Sequence, residues 1–496
     1  MPTPESRRSD VDACPGALRL HAAADGPLAR VRLPGGLLTG AQAGALRTLA
    51  ERWGDGHLEF TSRGNVQLRA LTGAPAAALT AALAGAGLLP SETHETVRNI
   101  AASPLPAAPD VRPVVRALDA ALCDDRRLAG LPGRFLFAVD SGALDVATTA
   151  DVTAVPGPAL SPATTADAAA VPGPALSPAT TADAAAVPGP ALSPATTADV
   201  TAVPGPALSP ATTADVTAVP GPALSPATAA DVAAVPRPAL SPGAGPTSPA
   251  DPFGFAVVFG GFDLGLRVPA DRLVAALIAA AHAFLDERAA QQRPAWRIGE
   301  LDDGPARVAA RTAAALGRPL GPAAGRLAPP RVREPIGVLA QPGGLAAAGA
   351  SVPLGRLGGV PLEVLASADH LVVTPWRGIV VPDLPPPAAR SWLSALGEAG
   401  LVVTAGSRWS GVSACAGRPG CAKSLADVRA DAGAATTPGT GLPVHWVGCA
   451  RGCGSPSGPH VRVEATGSGY RVTAPGLVAD APAGEVGGLV AAARRS

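Results

Sequence analysis

Four of the six cysteines stand in two pairs near the C-terminal end, Cys415-x5-Cys421 and Cys449-x3-Cys453. If these pairs act together, the fold must carry two distant segments to one place. Thiolates converging from two loops suit a metal or iron–sulfur centre. Zinc is the first rival, although zinc sites usually use C-x2-C knuckles and both gaps here are wider. A disulfide pair is the second rival, and nothing else in the sequence suggests an oxidising compartment. A [4Fe–4S] cluster on the four cysteines is therefore the first expectation. Gly417, Gly420, Gly448, Gly452 and Gly454 let the backbone come close enough to donate N–H groups to cluster sulfurs. Arg408, Arg418, Lys423 and Arg451 would offset the negative charge.

The formal net charge of zero argues against a generic nucleic-acid binder, and Lys423 is the sole lysine among 39 basic residues. No apolar run follows the polar start Met1–Arg8, so no signal peptide is expected. The apolar stretch Leu273–Leu285 carries His282 and is too short to span a bilayer. A soluble, cytoplasmic protein without membrane or nucleic-acid partners is expected.

Alternating apolar and arginine positions in Leu28–Leu33 predict a sheet with one charged face. Helical spacing covers Ala41–Trp53, and further helices are expected at Pro75–Ala86, 111–123 and Ala270–Ala290. From Asp151 to about Pro242 run six tandem copies of the unit DVTAVPGPALSPATTA, with small changes. Segments this rich in Pro, without aromatic residues, cannot bury enough apolar surface to offset chain entropy and are expected to be disordered. After the repeats the text resembles its own beginning. Leu371–Val381 repeats the strand, Thr, Arg-Gly bend and strand of Leu58–Leu68. Two related halves would pack as a pseudo-twofold pair with a site between them.

Thr61-Ser-Arg-Gly-Asn-Val-Gln-Leu-Arg69, Arg98-Asn99 and the two cysteine pairs, in that order, resemble the nitrite/sulfite reductase superfamily. The resemblance implies an α+β fold of two ferredoxin-like half-modules plus two α/β modules for cluster and substrate. The boundaries it suggests are a disordered 1–12, half-module 1 at 13–75, and an α/β module at 76–146 and 251–303. A disordered insert at 147–250, a connector at 304–334, half-module 2 at 335–395 and a cluster module at 396–496 complete the division. It also implies Cys415, Cys421, Cys449 and Cys453 as ligands of a [4Fe–4S] cluster, with sirohaem in the haem-containing members. Reductases of the superfamily carry a Lys-x-Lys segment after Leu-Pro, whereas Leu131-Pro-Gly-Arg134-Phe-Leu136 has Arg and Leu there. His460 replaces an acidic residue of the family pattern. Without those donors a six-electron reduction is poorly served.

The precorrin-3B synthase branch of the superfamily is closer. Cys14-Pro-Gly, Leu18-Arg-Leu-His21, Phe137-Ala-Val-Asp140, Thr374-Pro-Trp-Arg-Gly378 and Val444–Cys453 resemble it. This implies oxygen-dependent hydroxylation of precorrin-3A at C20 with lactone formation in aerobic cobalamin biosynthesis. It further implies a mononuclear non-haem iron and NADH as formal reductant. No G-x-G-x-x-G follows a strand, so NADH is expected to act through a separate reductase. A sirohaem-dependent sulfite or nitrite reductase and a non-catalytic iron–sulfur electron carrier are the alternatives.

Arg63, Arg69, Arg98, Asn99, Arg134 and Arg377 are the candidate substrate-binding residues, since bidentate Arg–carboxylate contacts suit a polycarboxylate such as a precorrin. The competing reading for each is a solvated or structural residue. His21 and His445 are weaker candidates as iron ligands, because a His flanked by apolar residues is usually structural. Trp376 and Trp446 either stack on a macrocycle or fill the core. Cys14 and Cys123 lack paired spacing and read as unpaired thiols.

Overall fold

The computed structural model describes residues 14–157 and 254–495, without positions 106, 108, 148, 149, 329–333, 440 and 457. The disorder expected for 1–12 and for most of the repeats falls outside the described residues. Those residues belong to one structural unit.

The first half-module runs β1 (His21–Ala23), β2 (Gly26–Val31), β3 (Leu37–Thr39), α1 (Gly40–Trp53), β4 (His57–Phe60), β5 (Val66–Leu68) and α2 (Ala76–Gly85). Its period-2 pattern sorts the side chains as expected. Ala29, Val31, Leu58, Phe60, Val66 and Leu68 enter the core. Arg30, Gln67 and Glu59 are register partners in a row on the opposite face. Helix α1 starts at a capping box, in which Thr39 Oγ1 accepts from Gln42 N and Gln42 Oε1 accepts from Thr39 N.

The α/β module contains β6 (Ile100–Ala102), α3 (Arg112–Asp124), β7 (Phe137–Val139), β8 (Val152–Pro156), β9 (Phe255–Phe259) and β10 (Phe262–Val268). The helices α4 (Leu273–Ala290) and α5 (Gly304–Ala315) and the short β11 (Gly325–Arg326) follow. Its sheet has the order β11-β10-β9-β8-β7-β6, with β6, β7 and β8 parallel and the rest antiparallel. Two expected boundaries are corrected. Strand β8 is the opening of the first repeat copy, and every residue in it is buried between β7 and β9. Alternate residues Val152 and Ala154 enter the main core, so five residues suffice for a strand when both neighbours are in place. The insert therefore starts after this strand, not at 147. The supposed connector contributes α5, which buries Val308, Ala309, Thr312 and Ala313 and packs against α4.

The second half-module repeats the first: β12 (Gly337–Ala340), β13 (Ala346–Ser351), β14 (Arg356–Gly358), α6 (Val360–Ala366), β15 (His370–Val373), β16 (Gly378–Leu384) and α7 (Pro386–Glu398). The halves exchange edges. Strand β14 completes the first sheet by pairing with β4, and β3 completes the second by pairing with β15. The turns before β5 and β16 share one geometry. Thr61 N donates to Asn65 O at 2.9 Å, and Thr61 Oγ1 accepts from Asn65 N at 3.1 Å. Thr374 and Gly378 make the same two bonds at 2.9 Å each. Gly64 (φ 68°) and Arg377 (φ 63°) both occupy the left-handed position. Pairing the two Arg-Gly dipeptides is thus off by one residue: Arg377 matches Gly64, and Trp376 is the counterpart of Arg63.

The last module holds β17 (Val412–Ala414), α8 (Val428–Ala435), β18 (Val444–Val447), β19 (Val461–Ala465), β20 (Tyr470–Ala474), β21 (Leu477–Ala481) and α9 (Val486–Arg495). Strands β17, β18 and β19 are parallel neighbours. No helix among the described residues is long and apolar enough to cross a membrane.

Candidate metal centre and arginine cluster

Because β17 and β18 are adjacent and parallel, both cysteine pairs leave the same end of one sheet. Cys415 directly follows β17, and Cys449 follows β18 by two residues. Cys415 N donates to Trp446 O at 2.9 Å, and Gly448 N points at Cys415 Sγ at 3.3 Å. Burial, with Cys453 and Cys421 close enough to add like charge, pushes the Cys415 thiol up. Leu425 N bonds Gly448 O at 2.8 Å, and a Cβ at Gly448 would lie 1.8 Å from Ser424 Oγ. Only glycine lets the two loops meet there. All six cysteines are free thiols, so none of the four is spent in a disulfide.

This donor set fits a multi-iron cluster. Among the described residues no group of three or more His, Cys, Asp or Glu side chains stands as a preformed metal site. Four free thiols on two loops, with a peptide N–H on one sulfur, are the donor type that an iron–sulfur cluster takes, one cysteine to each iron. His445 is fully buried, with Nδ1 against Ser413 Oγ at 2.8 Å and Nε2 against Cys453 O at 2.9 Å. Both ring nitrogens are thereby engaged, and burial holds its pKa down at about 4. It braces the second cysteine loop and is not free to bind iron. His21 lies exposed on β1.

The charged face of the first half-module meets the cysteine loops through two contacts. Arg69 forms bonds of 2.8 and 2.9 Å to Asp25 and one of 2.6 Å to Gly420 O, inside the C-x5-C loop. Arg429 joins Glu59 Oε1 at 2.6 Å to Cys415 O at 3.2 Å. Arg69 is therefore placed as a latch, with Nε and Nη2 engaged by Asp25 and Gly420 O and not turned to a free carboxylate. Arg98 is bound at 2.8 and 2.6 Å by Asp119, and Asn99 is wholly buried on the Thr96 and Gly133 carbonyls. Asn99 faces no ligand space, whereas Arg98 and Asp119 line a cavity that they share with Arg32, Arg112 and His370. Arg134 is exposed and stacks 4.5 Å over Trp296. Arg377 donates to Gly454 O at 3.1 Å, and burial lowers its pKa. Trp446 is core, edge-on to Tyr470 at 5.1 Å.

Arg63 differs from these. Its guanidinium makes no hydrogen bond or ion pair among the described residues. Burial and then the charges of Arg297 and Arg30 push its pKa down to about 10. Arg32 is 3% exposed and is pushed down to about 9 by burial, by Arg30 and by Arg63. Arg63 is thus repelled by Arg297 and Arg30, and Arg32, held on the Thr96 and Pro15 carbonyls, by Arg30 and Arg63. Asp151 enters from the start of β8 and is 1% exposed. It accepts from Leu136 N at 2.9 Å and Ile298 N at 2.8 Å, and pairs with Arg297 Nε at 2.6 Å. Such a cluster is stabilised by an anion with several oxygens. Sequence reading missed Arg30, Arg32, Arg297 and Asp151. The parity of Arg30 and Arg32 on the charged face was an available signal, but Asp151 was hidden by its repeat.

Residues 21–86, from β1 to the end of α2, match the nitrite/sulfite reductase ferredoxin-like half domain. This segment of the chain is thus similar to that half domain over 66 residues. The structure of the Mycobacterium tuberculosis NirA protein is similar in fold, with a TM-score of 0.61 and 17% identity over 93% of this chain and 79% of that one. A precorrin-3B synthase from Sinorhizobium sp is 41% identical over 80 residues, which is 16% of this chain. That match spans 17% of the relative's own length. The exchanged half-modules and the cysteine loops at one sheet end therefore sit in a fold similar to that of the NirA protein.

Proposed function

We propose that this protein is an oxidoreductase of the precorrin-3B synthase type. It would hydroxylate precorrin-3A at C20, with one oxygen atom from O2 entering the product and the other leaving as water. Two electrons come formally from NADH through a separate reductase, and a neighbouring acetate closes the lactone. The observation that carries this reading is Leu136. It is 4% exposed and packs with Ala101, Ala138, Val146 and Ala150, while its N–H is held by Asp151. No ammonium stands there, and Arg134 two residues earlier lies on Trp296. A reductase needs proton donors at the anion, whereas gripping a polycarboxylate needs only fixed cations.

In this reading Arg63 takes a carboxylate directly, and Arg30, Arg32 and Arg297 raise the local potential that draws the polyanion in. Asp151 keeps Arg297 oriented. Cys415, Cys421, Cys449 and Cys453 would hold a [4Fe–4S] cluster, which supplies single electrons when bound.

The likeness to NirA over nearly the whole chain favours a second reading, a sirohaem-dependent sulfite or nitrite reductase, since arginines suit the carboxylates of a tetrapyrrole cofactor equally well. One experiment separates the two. Purified protein with precorrin-3A, a reducing system and labelled O2 should give a product heavier by one labelled oxygen, with negligible sulfide from sulfite and reduced viologen. Substantial sulfide or nitrite reduction, with strong sirohaem bands in the spectrum, would replace the first reading by the second.

A further inference from the structure

The folded segment before and through β8 is itself a whole copy of the repeat. Residues 143–158 read ALDVATTADVTAVPGP, and residues 191–206 and 207–222 read ALSPATTADVTAVPGP. The two sequences differ only at Asp145 and Val146, where the later copies have Ser193-Pro194 and Ser209-Pro210. The sequence of 151–156, from the aspartate onward, thus occurs twice more, at 199–204 and 215–220. We propose that Asp145 and Val146 are a register lock, selecting which copy of the unit becomes the third strand of the central sheet and supplies the carboxylate beside Arg297.

The contacts explain why these two positions discriminate. Val146 is 2% exposed and donates its N–H to Asp140 Oδ2 at 3.1 Å, closing a loop in which Asp140 Oδ1 also accepts from Gly142 N and Leu144 N. Proline has no N–H to give, so a Ser-Pro copy leaves that buried oxygen short of a partner. Asp145 accepts from Ser103 Oγ at 2.6 Å, and the same hydroxyl takes Ser141 N at 3.0 Å. A serine side chain is one atom too short for this bridge from the residue after β6. Nothing else separates the copies. Thr153 Oγ1 bonds Ala147 O at 3.0 Å, and Asp151 holds Leu136 N and Ile298 N. Thr201 and Thr217, with Asp199 and Asp215, carry the same groups at the same spacing. Using a later copy would lengthen one connection and shorten the other, and closure entropy changes only slowly with length. Chain length therefore does little to enforce the choice.

The test is an epistasis experiment on melting midpoint in the full chain and in a chain lacking residues 159–238, which are whole copies. In the otherwise native full chain, Asp151→Ala should lower the midpoint by several degrees. In full-length D145S/V146P the same change should cause no further drop, because Asp199 or Asp215 can take over. In the shortened D145S/V146P chain the full drop should return. A dimer that forms only in full-length D145S/V146P would be the same exchange between two copies of this chain. If Asp151→Ala costs D145S/V146P as much with the repeats as without them, the lock is refuted. Should D145S/V146P be insoluble, the single variant V146P carries the same comparison.

Discussion

Replacing Arg69 by Ala separates a latch from a substrate grip. The guanidinium is 6% exposed and Asp25 17% exposed. The change removes two charge-assisted bonds to Asp25 and the 2.6 Å bond to Gly420 O, and it leaves Glu59 3.7 Å away without that cation. Breaking a buried pair from one side costs about 3–5 kcal/mol, because the remaining carboxylate stays desolvated. Arg429 still holds Glu59, which places the expected loss near the lower end, about 3 kcal/mol. The loss falls on the C-x5-C loop, so it should be read there. In a urea titration followed by iron–sulfur absorbance, the variant's cluster should be released at clearly lower denaturant than the parent's. Helical signal from the α/β module should move less. Affinity for a polycarboxylate porphyrin, measured on intact variant, should stay within a few fold. An unchanged release midpoint with binding weakened tenfold or more would refute the latch and restore Arg69 as a ligand-binding residue.

Cys421→Ser should strip most acid-labile sulfide from anaerobically purified protein, while Cys123→Ser should not. Parent protein holding zinc and no sulfide would overturn the cluster assignment. Arg63→Ala should weaken precorrin or porphyrin binding at least tenfold, about 1.5–3 kcal/mol for a charge-assisted contact, with little change in melting. A melting loss without a binding loss would make Arg63 structural. Burial, then the charge of Asp140, pushes Asp145 up to about 7, so the folded chain keeps a proton that the unfolded chain releases near pH 4. That contribution to stability is full below about pH 4 and is lost as pH rises to about 7. Asp145→Asn should flatten the fall in melting temperature across that window, and an unaltered slope would contradict the assignment.

Much of this was readable from local pattern. Period-2 alternation gave β2, β4 and β5 and predicted their charged face, and Thr39 with Gln42 marks the start of α1 as a cap should. The cysteine spacings were legible because chemistry at a strand end depends on few neighbours. Partner choice was not. Arg63, Arg69 and Arg98 look alike in sequence, yet Asp25 and Asp119 claim two of them from distant segments and leave one free. Strand β8 was misread for a different reason: its residues are the repeat's residues, and only the flanking β7 and β9 make five of them a strand. Helix α5 was lost among Pro, Gly and Arg because its apolar stripe is mostly alanine.

The exchanged edges set a timetable for synthesis. The row Arg356↔Glu59, Leu357↔Leu58 and Gly358↔His57 closes the first sheet with residues that leave the ribosome about 300 positions after the strand they cover. At about 5–20 residues per second, the open side of β4 waits roughly 15–60 s, with its N–H and C=O groups available to any passing strand. A fragment ending at α2 would carry that open side permanently. A nascent chain stalled inside the repeats is in the same position, so each added copy lengthens the interval in which a holding chaperone has to stand in for β14.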